Sequence, residues 1–190
     1  AGIAAPDMRQ RYGKLEETLL ELEKDVRLFV LGRRGESAAI TQRDLGRNVE
    51  RVVRNVHKPI LTVTRDFTEP QRVMIAFDGG IVTRRGVRLV ASSPMFKGMT
   101  VHLLMSGKGS GEARKQLEWA RQTLEAAGFD APAFFIPGDA ESIIASTVKS
   151  QAIDMLVMGA YSHSPLRNLL FGSKTAELLR SATIPTMLLR

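Results

Sequence analysis

One stretch near the carboxyl terminus limits what this chain can fold into more than any other. The apolar run Met155-Leu156-Val157-Met158 ends at Gly159, Ser162 follows after two residues, and nine more lead to Gly172-Ser173 and a helical pattern over 174–180. A buried strand that opens at its carboxyl end into small residues and a helix N-terminus is how α/β proteins hold phosphate. Small residues let the backbone approach the anion, and the free N–H groups of the first helical turn point at it. The plainer alternative is a strand, loop and helix whose glycines only make turns.

The chain upstream of this motif alternates in the same way. Strands are expected over 73–77, 100–105, 133–136, 155–158 and 185–189, and helices over 83–93, 112–127, about 139–150 and about 174–181. Strands alternating with amphipathic helices at this spacing predict a parallel sheet with helices on both faces. The fold expected is therefore α/β: a doubly wound five-stranded parallel sheet.

Residues 1–65 read like the back half of the same unit. Leu28-Phe29-Val30-Leu31-Gly32 aligns with 155–159, Gly35 with Ser162 and, with one extra loop residue, Gly46 with Gly172. Arg54 then falls on Arg180 and Pro59 on Pro185, and 60–63 matches the last strand. This alignment predicts a partial unit over 1–68, the C-terminal half of a first repeat, and a complete unit over 69–190. Half a doubly wound unit cannot cover both faces of its own sheet, so the expectation is an absent upstream segment or packing against a neighbour. The chain starts without Met, which suggests processing, an engineered start or a missing front. The closing strands 60–63 and 186–189 are apolar and β-prone, and are expected to pair with each other or, across a two-fold, with another chain as a homodimer.

Composition narrows the function classes. The chain has no cysteine, which removes disulfides, thiol nucleophiles and thiolate metal sites and fits a reducing, cytoplasmic location. No apolar run reaches the ~20 residues of a membrane span, and 1–6 lacks the charged and apolar regions of a signal peptide. The net charge is +7, with +2 in residues 1–70 and +5 in 71–190. The basic residues are interspersed with acids and few aromatics, which argues for a solvated basic surface over a nucleic-acid partner.

The pattern strand, G-x2-G-x9-G-[ST], helix and proline-led closing strand resembles the universal stress protein family, here in Gly159…Gly172-Ser173 and Pro185. An aspartate ending the first strand, Asp78 in Ile75-Ala76-Phe77-Asp78-Gly79-Gly80, is the family's other recurring mark. The likeness covers 71–190 as a whole and 8–65 in part, and is greatest to tandem members.

The resemblance implies an ATP site, or one for ADP or AMP, at the carboxyl edge of the sheet, with Mg2+ accompanying ATP. Carried over by position, Asp78 takes the ribose or adenine side beside the backbone of Ala76 and Phe77. Leu104 faces the adenine, Met158 and Gly159 line the floor, Ser162 meets the phosphates, and Gly172, Ser173 and Lys174 cap them. Ser162 stands where the motif has its second glycine. If that position needs a positive φ, serine costs about 1 kcal/mol, although its hydroxyl can donate to phosphate. The first copy keeps Gly32 and Gly35 but has ten residues before Gly46 and then Arg47, so it is not expected to form a complete site.

Other features lead to blander readings. Gly107-Lys108-Gly109-Ser110-Gly111 lacks the G-x4-G-K-[ST] order and reads as a surface loop. His57, His102 and His163 have no ligand-spaced partners, so no metal site is read from them. The serines have no G-x-S-x-G elbow, and with no base–nucleophile pair in view no catalytic residue is assigned. The expectation is a ligand-gated stress-response module whose 159–173 loop is ordered by the nucleotide. The alternatives are a non-binding assembly module of the same fold and a slow nucleotide hydrolase.

Overall fold

The computed structural model describes residues 5, 7–32, 47–64, 68–160 and 184–190. Their elements follow in chain order as α1 (Leu15–Leu22), β1 (Phe29–Gly32), α2 (Arg47–Asn55), β2 (Ile60–Val63), β3 (Arg72–Ala76), α3 (Ile81–Ser92), β4 (Thr100–Ser106), α4 (Gly111–Ala126), β5 (Ala133–Ile136), α5 (Ala140–Ser150), β6 (Met155–Gly159) and β7 (Thr186–Leu189). A short 3-10 turn, Pro94–Phe96, separates α3 from β4.

Local chemistry sets the helix ends. Ser110 accepts a hydrogen bond from the Ala113 amide and Asp139 accepts one from the Ser142 amide, which caps α4 and α5. α3 begins two residues earlier than its apolar pattern suggests. The Asp78 carboxylate takes the Gly80 amide, and the turn closes directly into the helix. β3 ends one residue earlier than expected, yet the Phe77 amide still donates to the Leu104 carbonyl at 2.8 Å and extends the ladder.

The strands form one seven-stranded sheet in the order β1-β2-β7-β6-β3-β4-β5. β3, β4, β5, β6 and β7 pair in parallel, as expected for a doubly wound unit, and β1 pairs in parallel with β2. β2 and β7 pair antiparallel, with Ile60 opposite Leu188 and Thr62 opposite Thr186. The Thr62 hydroxyl donates to the Thr186 carbonyl at 3.0 Å within this buried junction. Of the two pairings open to the closing strands, the fold adopts the one within the chain, and each then has a neighbour along both edges.

Two apolar layers result. One sheet face carries Phe29, Ile60, Met74, Ala76, Leu156 and Leu188 against Leu19 of α1, Val52 and Val53 of α2 and Ile144 of α5. The other carries Val73, Ile75, Leu103, Val157 and Met187 against Val87 and Val90 of α3 and Leu117 and Leu124 of α4. Burial on both faces explains why these strands read as nearly continuous apolar runs. Asp154, just before β6, accepts from the Gln71 and Arg72 amides at 2.8 and 2.9 Å and so pins the start of β3 to β6.

Candidate functional site

Successive strands step from β3 to β4 to β5 in one direction, and the chain then returns to place β6 on the opposite side of β3. The carboxyl ends of β3 and β6 therefore flank the point where the strand order reverses. In open α/β sheets the crevice outside the carboxyl ends of the strands at such a point is the usual ligand position.

Asp78 lies at this point, two residues past the end of β3. Its Oδ1 accepts from the Gly80 amide at 2.8 Å and from the Thr83 hydroxyl at 2.5 Å. Its Oδ2 is buried and has no hydrogen-bond partner among the described residues. A buried carboxylate oxygen without a donor is costly, and a ligand that brings an N–H or O–H to it recovers that cost.

The turn behind the carboxylate is held from the α3 and α4 side. Gly79 has φ +76°, a backbone conformation that favours glycine, and a Cβ there would fall 1.7 Å from Gln116 Oε1 and displace the end of that side chain. Arg84 Nε donates to the Gly79 carbonyl at 3.0 Å, and its guanidinium lies 5.1 Å from the centre of the Trp119 ring. Phe77 stacks on Trp119 with centroids 6.4 Å apart. The Phe77 side chain thus belongs to the α3/α4 layer, and its backbone stands at the carboxyl end of β3.

Three further candidates form a row beside the aspartate. Ala76 is in register with Leu104 of β4 on one side and Met158 of β6 on the other, and all three are buried. Gly159 follows at the end of β6, opposite Leu189 of β7. The structure thus gathers Ala76, Phe77, Asp78, Leu104, Met158 and Gly159 at one edge. Ser162, Gly172, Ser173 and Lys174 lie outside the described residues. Thr83 and Gln116 touch this turn and were not singled out from the sequence; a threonine five residues past an aspartate is too weak a signal to find the first.

Among the described residues no helix is long and apolar enough to cross a membrane. His102 is buried on β4, its ring stacked on Phe134 with centroids 6.2 Å apart, and its Nδ1 has no partner among the described residues. It is paired in register with Met74, two positions before Ala76 along the strand.

Comparison with known proteins agrees with this architecture. The sequence profile of the Universal stress protein family matches residues 85–190. Universal stress protein Slr1230 of Synechocystis sp. is 34% identical over 192 residues, spanning 100% of this chain and 67% of that protein. A universal stress protein structure from Archaeoglobus fulgidus superposes with a TM-score of 0.72 at 17% identity, covering 92% of this chain and 64% of its own, so this chain spans about two thirds of either protein's length. A universal stress protein solved in complex with cAMP superposes with a TM-score of 0.53 at 18% identity, over 65% of this chain and 98% of its own. The matched profile, the relative aligned along the whole of this chain and the shared doubly wound sheet agree, and the chain belongs to the universal stress protein family.

Proposed function

We propose that this chain binds ATP or a related adenine nucleotide at the crevice between the carboxyl ends of β3 and β6. The observation that carries the reading is the buried, partnerless Oδ2 of Asp78 at the point where the strand order reverses. A nucleoside supplies the missing donor from a ribose hydroxyl or the adenine amine. Ala76, Leu104, Met158 and Gly159 would line the base and floor. The motif residues Ser162, Gly172, Ser173 and Lys174 would receive the phosphates, with Mg2+ arriving as the counter-ion of a triphosphate. A structurally similar family member has been solved with cAMP, which supports an adenine nucleotide as the ligand class.

On this reading the protein is a ligand-gated module of the stress response, and occupancy alters what this edge presents to partner proteins. The residues also suggest two units, 1–68 and 69–190, with the nucleotide held by the second. The test is to denature purified protein, identify any released ligand by chromatography, and titrate the emptied protein with ATP, ADP and AMP by calorimetry. Near-stoichiometric adenine nucleotide, or micromolar binding that Asp78→Ala weakens by about tenfold or more, is the expected result. An emptied protein that ignores all three nucleotides overturns the reading and leaves the assembly module of the same fold.

A further inference from the structure

Thr83 is 1% exposed in the first turn of α3, and its hydroxyl serves the carboxylate rather than the solvent. It donates to Asp78 Oδ1 at 2.5 Å and lies 3.2 Å from the Gly80 carbonyl. The Gly80 amide donates to the same Oδ1 at 2.8 Å. Two donors on one oxygen and none on the other fix the carboxylate rotation and leave Oδ2 as a buried acceptor. A carboxylate free to turn would share its donors between both oxygens and present no fixed acceptor.

We infer that Thr83 is a positioning residue that aims Asp78 Oδ2 at a hydrogen-bond donor of the bound nucleoside and so sets the site's selectivity for ligands that carry that donor. The inference rests on the nucleotide reading above and adds a residue and a selectivity mechanism to it. A site built to accept a donor rejects an analogue that lacks one, because its buried acceptor is then left unpaired. The donor is a ribose hydroxyl or the exocyclic amine of adenine, and two analogues separate them: 2′,3′-dideoxy-ATP lacks the first, and ITP replaces the second with a carbonyl.

The experiment titrates the wild-type chain, Thr83→Val, Thr83→Ser, Asp78→Asn and the double variant Asp78→Asn/Thr83→Val with ATP and both analogues. Circular dichroism melting checks folding, and Thr83→Ala is carried alongside in case Thr83→Val fails to fold. Wild type is expected to bind ATP about tenfold to a hundredfold more tightly than one of the analogues. Thr83→Val should lose most of that ratio by weakening ATP while leaving the disfavoured analogue unchanged, and Thr83→Ser should restore it. In the Asp78→Asn background, Thr83→Val should cost nothing further, because its effect passes through the carboxylate. The inference is overturned if Thr83→Val binds ATP like wild type, or weakens ATP and both analogues equally, as a purely structural role would. Those results leave the nucleotide reading standing, whereas a wild-type chain that binds none of the three ligands overturns both.

Discussion

Ile60 of β2 lies directly opposite Leu188 of β7, each 2% exposed, in the antiparallel pairing that joins two sets of parallel strands into one sheet. β7 is an interior strand, since Leu188 is also in register with Met158 of β6. Proline there removes a backbone donor and the side chain together, so Leu188→Pro should cost about 3 kcal/mol or more. Ile60→Ala should cost about 2–5 kcal/mol through the cavity it opens. Urea denaturation reads both, and losses below about 1 kcal/mol for the pair would show that the junction does not form in solution.

Gly86 and Leu189 couple α3 to the end of β7. A Cβ at Gly86 would fall 2.3 Å from Leu189 Cδ1, inside the apolar layer beneath α3. Alanine in a helix interior normally gains about 1 kcal/mol over glycine, and here the contact opposes that gain. Gly86→Ala should therefore stabilise a Leu189→Val background by about 1 kcal/mol while failing to do so in wild type. A double-mutant cycle with no coupling between the two sites would contradict this contact.

His102 makes stability depend on pH. Burial on β4 is the main cause of its lowered pKa; Asp130 opposes the shift and Arg72 adds to it. Since the folded pKa lies below the ordinary value of 6.5, the unfolded chain takes up the proton first. The stability associated with the neutral ring is complete above about pH 6.5 and is lost as pH falls from there towards the folded pKa. Leucine also removes the partnerless Nδ1, so His102→Leu should flatten the decline between pH 7.5 and 5. Equal slopes for wild type and variant in urea midpoints across that range would exclude His102 as the source.

Much of the architecture was legible because its signals are local. The helix Ala140–Ser150 and the strand Ala133–Ile136 fall where apolar periodicity and the neighbouring turn residues place them. Asp78 stood out for the same reason, as a carboxylate at the end of an apolar run beside Gly79-Gly80. The start of α3 did not, since it depends on where that carboxylate turns once the loop has closed. The sequence alone suggested a site at the carboxyl edge, but not that Thr83 and the Gly80 amide both donate to one oxygen and leave the other bare.

Residues within a few positions of one another determined the strands, helices and caps, through side-chain period, capping and turn chemistry. Tertiary structure decided what meets across distance. It chose the pairing of β2 with β7, whose residues Thr62 and Thr186 are 124 positions apart, and it set the register that brings Ala76 between Leu104 and Met158. The reason is physical: a local pattern specifies how a segment bends and which face it buries, whereas the partner of a strand edge or a buried carboxylate is selected only when the whole sheet closes.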